Sequence, residues 1–113
     1  VRIVNEACLD RFRQAFKCEW CGAFSRGRMD PHHVLGRGTA GAWRLDIPEA
    51  LISLCPAFVG GSCHTKYGDL PAYQPKFLAV IAKREGFASA EVLKDWLLKI
   101  RELPKNSELP ERP

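Results

Sequence analysis

No run of 18 apolar residues occurs in the 113-residue chain, and this excludes a transmembrane helix. A secretory leader pattern is missing as well, although the chain begins at Val1 and a leader ahead of it is left open. No internal repeat is visible. An even cysteine count is also lacking: five cysteines would leave one unpaired in any disulfide framework. The spacing of four of them favours a metal over disulfides, which implies a reducing, cytoplasmic compartment. What remains is ordinary globular composition, 46% apolar and 27% charged. Its length suits one domain with a modest core that a bound metal would reinforce. The net charge of +4 and pI of about 8.9 permit contact with a polyanion without establishing it.

Local patterns place the elements. A short helix is expected over residues 5–16, capped by Asn5, with Leu9, Phe12 and Phe16 at helical spacing. Cys8 shares that face and reads as a buried thiol. Cys18 to Gly22 reads as a zinc knuckle, Phe24 to Met29 as a loop or irregular strand, and Met29 to Leu35 as a strand and its exit. Gly36 to Gly41 reads as a flexible loop. Trp43 to Ile47 and Leu51 to Leu54 are short apolar runs interrupted by Pro48, so a bent second strand or a strand and a turn. Gly60-Gly61 marks a turn, and Ser62 caps a short helix from Cys63 that Gly68 and Pro71 stop. Pro75 opens another helix, with Phe77, Leu78, Val80 and Ile81 on its apolar face and Gly86 at its end. Ser89 caps the last helix, whose stripe of Val92, Leu93, Trp96, Leu97, Ile100 and Leu103 reads as core rather than a partner surface. One domain over 1–103 is expected, with 104–113 a disordered tail rich in proline and polar residues.

The chemistry lies between Cys18 and His64. Cys18 and Cys21, with Cys55 and Cys63, form a candidate tetrahedral set of thiolates for a structural zinc ion. Cys8 is the reserve ligand if that geometry fails. All three histidines, His32, His33 and His64, fall in the same stretch. Together Cys18-Glu19-Trp20-Cys21, Asp30-Pro31-His32-His33, Leu51 to Cys55 and Cys63-His64 resemble the HNH endonucleases of the ββα-metal class. Cysteine-bearing members of that family read as C-x2-C, D-x-H-H or D-H, N-L-x-x-L-C and C-H. The resemblance covers core residues 18–69 and leaves both ends unaddressed. It implies an α+β domain: a treble-clef-like ββα-metal core on a zinc knuckle, with added helices at both ends.

By the same resemblance His33 is the general base, and His32 and His64 hold a catalytic divalent ion. The product ends would be 5′-phosphate and 3′-hydroxyl. Asp30 is either a further ligand or an acceptor for an imidazole N–H. A pair of histidines leans towards Mn2+, Ni2+, Co2+ or Zn2+, whereas ligation by Asp30 would favour Mg2+. On a flat strand His32 and His33 point to opposite faces, so the strand must end or bend for both to serve one phosphate.

The family's middle asparagine is replaced by Ala50, and Gly68 stands where some members carry a further ligand. The second cysteine pair is also spread apart by the insert Pro56 to Ser62. Arg37, Lys66, Lys76, Lys83 and Arg84 are candidates for phosphate contact, with Arg37 best placed. The expected function is DNA nicking or cleavage by a small, phage-type HNH protein in the (host) cytoplasm, with DNA as partner and no membrane. A zinc-stabilised nucleic-acid-binding module without catalysis is the alternative. A structural zinc domain for protein contacts is a third reading, and it leaves the histidines unexplained.

Overall fold

The computed structural model describes residues 1–24, 29–56 and 63–113. The chain forms a small α+β domain: α1 (Glu6–Arg13), β1 (Asp30–His33), β2 (Leu51–Leu54), α2 (Cys63–Tyr67), α3 (Gln74–Glu85) and α4 (Ala90–Glu102). Short 3-10 turns cover Thr39–Gly41, Pro48–Ala50 and Pro71–Tyr73.

The two strands are antiparallel, with His32 opposite Ile52 and His33 opposite Leu51. All four residues of β2 are buried, because helices cover both of its faces. Strand alternation then divides the work. Ile52 and Leu54 join the main core with Phe77, Leu78 and Ile81 of α3 and Leu93, Leu97 and Ile100 of α4. Leu51 faces α1 and packs with Cys8, Leu9 and Phe12. Ser53 shares that face, and its hydroxyl donates to the Phe12 carbonyl at 2.9 Å.

The Asn5 side chain accepts from the Cys8 N–H at 3.1 Å and starts α1, as expected. The helix ends at Arg13, sooner than the apolar spacing predicts, and Phe16 is 69% exposed. Ser89 caps α4 through the Val92 N–H, and Gly86 closes α3 at φ 80. The α4 stripe is core: Leu93, Trp96, Leu97 and Ile100 are all buried. Of the two apolar runs around Pro48, only Leu51–Leu54 is a strand. Leu45 instead makes a parallel bridge to Ile3, which ties the N-terminal segment to the body.

The end of segment 104–113 touches the body of the domain at Glu111 and Arg112. The Arg112 guanidinium reaches Glu49 at 2.7 Å and Glu85 at 2.9 Å and lies over the Phe87 ring. The Trp96 indole N–H donates to the Glu111 carbonyl at 3.0 Å. The segment is mostly exposed, as its polar composition suggests, and among its charged side chains Arg112 finds partners, on α3 and beside β2. The expected loop over Phe24 to Met29 falls largely outside the described residues, as do the Gly60-Gly61 turn and the Ser62 cap. Among the described residues no helix is long and apolar enough to cross a membrane.

Candidate functional site

The four paired cysteines meet. Their sulfurs all lie within 4.8 Å of one another, although Cys18 and Cys21 sit on the knuckle, Cys55 just after β2 and Cys63 at the start of α2. Cys21 Sγ and Cys55 Sγ are 3.8 Å apart. That is the edge of a tetrahedron with bonds of about 2.3 Å, the length of a zinc–thiolate bond. The backbone turns its N–H groups onto these sulfurs. Trp20 and Cys21 donate to Cys18 Sγ at 3.4 Å each, and Cys63 donates to Cys55 Sγ at 3.1 Å. Burial pushes the Cys55 and Cys63 thiols up. Burial acts the same way on Cys18, but the N–H donors around it prevail and bring it down. Four sulfurs in so small a volume could hold a metal ion that would keep them as thiolates, and a zinc ion fits. The set is closed, so such an ion would tie knuckle, strand and helix together and leave no position for a substrate. Trp20 extends the anchorage, with its ring 5.3 Å from Phe77 of α3 in an edge arrangement. Cys8 lies elsewhere, on the α1 side of the sheet, where burial raises its thiol.

The histidines line a second place. Asp30, His32, His33, Arg37 and His64 all border one cleft of about 440 Å³. β1 supplies the first three and α2 supplies His64. The alternation problem is resolved by where the strand stops. His32 takes the α3 side, with its ring 5.8 Å from Phe77, while His33 takes the α1 side. β1 ends at His33, and the Gly36 N–H turns back onto the His33 carbonyl at 2.9 Å with φ 76 at Gly36. The cleft wraps around this strand end, so both imidazoles reach it.

The glycine-rich loop that follows is pinned. The Trp43 N–H donates to the Arg37 carbonyl at 2.8 Å, and Arg101 lies over the Trp43 ring at 5.0 Å. Arg101 also donates to the Leu35 carbonyl.

Each histidine has a distinct environment. His32 is buried and its ring centroid lies 5.2 Å from that of His64. Burial, with His64 nearby, lowers its pKa to about 4, so the ring is neutral at pH 7. His64 Nδ1 donates to Asp30 Oδ2 at 2.9 Å, which leaves its Nε2 for a metal ion. His33 Nε2 meets Asp46 Oδ1 at 2.8 Å. Burial lowers the His33 pKa, and Asp46 offsets only part of that.

Comparison with models of protein families, with curated proteins and with solved structures gave no match.

The donor set of the cleft is open. Among the described residues, the cysteine cluster alone brings three or more ligand atoms within 4.8 Å of one another. In the cleft the His32 and His64 rings lie side by side, with centroids 5.2 Å apart. Asp30 serves as the acceptor for the His64 imidazole in this geometry.

Of the basic candidates, Arg37 is exposed on the cleft. Lys66 is not among the cleft walls and lies 5.4 Å from the Tyr67 ring. Lys76 covers the Tyr73 ring. Arg84 is a strut and is not free for phosphate: it ion-pairs Glu19 at 2.7 Å, donates to the Leu51 carbonyl at 2.9 Å and lies over Phe12.

Asp46 escaped the sequence reading. It is fully buried and takes hydrogen bonds from Arg44, His33 and the Asn5 N–H. Burial alone would raise its carboxyl, but those donors hold it at about 2. Arg13 and Asp69 also border the cleft, and nothing in their sequence context marks them.

Proposed function

We propose that this protein is a metal-dependent HNH endonuclease that hydrolyses DNA phosphodiester bonds, built as a ββα-metal core on a structural zinc site. The observation that carries this reading is the cleft at the end of β1. An imidazole braced by a carboxylate, His33, stands there beside a pair of imidazoles, His32 and His64. His33 would accept a proton from the attacking water, since a neutral imidazole is a competent base near neutral pH. His32 and His64 would hold the divalent ion, with Asp30 fixing the His64 ring. When bound, that ion would offset phosphate charge and stabilise the leaving 3′ oxygen. Arg37, on the rim, would contact a phosphate of the backbone.

A second reading has its own support. Ala50 occupies the position of the asparagine in the HNH pattern, and among the described residues no third donor joins His32 and His64 in a compact ligand set. Both features suit a zinc-stabilised nucleic-acid-binding module without catalysis. Supercoiled plasmid incubated with a panel of divalent ions separates the two. Ion-dependent nicking that stops in excess chelator supports the nuclease. Retarded but intact plasmid with every ion supports the binding module.

A further inference from the structure

Asp46 is the most enclosed charged group near the cleft, and its surroundings give it one orientation. Oδ1 faces His33 Nε2 at 2.8 Å and Arg44 Nε at 2.9 Å. Oδ2 accepts from the Asn5 N–H at 2.8 Å and from Arg44 at 2.7 Å. The backbone beneath is held too. The Asp46 N–H donates to the Ile3 carbonyl at 2.9 Å, and the Ile3 N–H donates to the Arg44 carbonyl at 2.8 Å. A carboxylate with both oxygens engaged cannot turn. Arg44 and the Asn5 N–H would already offset its charge, yet one oxygen is also aimed at the imidazole. An ionised carboxylate only accepts hydrogen bonds, so the nitrogen facing it must carry the proton. That leaves Nδ1 of His33 as the nitrogen with a free lone pair.

We propose that Asp46 is the positioning residue for His33: it holds the ring as the Nε2–H tautomer with Nδ1 available to take the proton from water. This rests on the nuclease reading for its kinetic consequence but not for the tautomer. The N-terminal segment gains a role as well, because Ile3 and Asn5 hold the carboxylate that holds the base. Ala50 offers no side-chain brace, and its carbonyl is taken by the Val34 N–H at 2.9 Å.

Two measurements on the zinc-loaded full chain test this. The first needs no variant: nitrogen-15 NMR of the histidine rings. A protonated Nε2 and an unprotonated Nδ1 on His33, with a slowly exchanging ring N–H, is the expected result. An Nδ1–H tautomer would overturn the proposal.

The second is a double-mutant cycle on plasmid nicking, using Asp46→Asn, His33→Ala and the pair. The amide of Asp46→Asn can donate to Nε2 and reverse the tautomer, so kcat should fall at least about 10-fold while KM stays within about twofold. In the His33→Ala background the same substitution should change the rate by less than about twofold, because Asp46 acts through the lost ring. Equal losses in both backgrounds would show a merely structural role and sink the proposal. A wild type that cleaves nothing would overturn the nuclease reading instead, and the ring tautomer would still decide whether Asp46 sets His33.

Discussion

Gly68 is where one methyl group should do the most damage. It follows α2 directly, and its N–H donates to the His64 carbonyl at 3.0 Å. A Cβ built there collides with that same carbonyl oxygen, sits 3.0 Å from His64 Cδ2 and lies 3.4 Å from His32 Cε1. The first obstacle is backbone and cannot swing aside. Relief requires the end of α2 to move, and His64 moves with it. Replacing glycine by alanine at a compatible site usually stabilises by about 0.4–1 kcal/mol through the unfolded chain. Overpacking of this kind costs about 1–3 kcal/mol. The clash therefore wins, and Gly68→Ala should lose roughly 1–2 kcal/mol net. For a chain of this size that is a fall in Tm of roughly 4–10 °C. Thermal and urea denaturation of the zinc-loaded protein would measure it, with the affinity of the cleft for Mn2+ followed alongside. A neutral or stabilising Gly68→Ala would refute the packing of Gly68 against His64. The same contact explains why a further side-chain ligand at this position could not be added without rebuilding α2.

Three other outcomes follow from the geometry. Protein purified without added metal should carry one zinc per chain by elemental analysis, and Cys18→Ser or Cys63→Ser should release it and unfold the domain; a Cys18–Cys21 disulfide in the native protein would contradict this. Arg84→Ala should lower stability by about 1–3 kcal/mol in urea denaturation, because it strands the Leu51 carbonyl and Glu19, and should leave DNA affinity unchanged. Arg37→Ala should do the reverse, with stability within about 0.5 kcal/mol of wild type and the salt slope of DNA binding reduced by about one; DNA binding unchanged in Arg37→Ala would remove it from the interface.

The metal-like spacing of the cysteines was legible because ligand chemistry is local. The C-x2-C knuckle and the Cys55 and Cys63 pair converge even though an insert separates the second pair. Capping was legible for the same reason: Asn5, Ser89 and Gly86 act on backbone groups within a turn of themselves. Phe16 was misread because helical spacing continued past the point where α1 had left the core. Asp46 was hidden for a different reason. Its importance comes from Ile3, Asn5 and Arg44 folding around it and from its direct bond to His33 of β1, and no spacing in the chain encodes that meeting. The partners of Arg84 and Arg112 are likewise distant in sequence, so Arg84 read as a phosphate contact and Arg112 as part of a polar tail. His32 and His33 were the intermediate case. Their opposite faces were readable from strand geometry, but their shared cleft depended on β1 stopping at His33.

The measurement that bears most directly on the proposed chemistry is plasmid nicking rate against divalent-ion concentration for wild type, His33→Ala and His64→Ala, with calorimetric ion binding on the same proteins. Wild type should nick only with added ion. His33→Ala should bind the ion normally and lose about 10²–10⁴-fold in rate at every concentration, as removal of a general base does. His64→Ala should lose a ligand, so high ion concentration should restore part of its rate. Abolished ion binding in His33→Ala together with normal cutting by His64→Ala would contradict these roles. The ligand set would then have to be redrawn around Asp30 and His33, with His32 as the base.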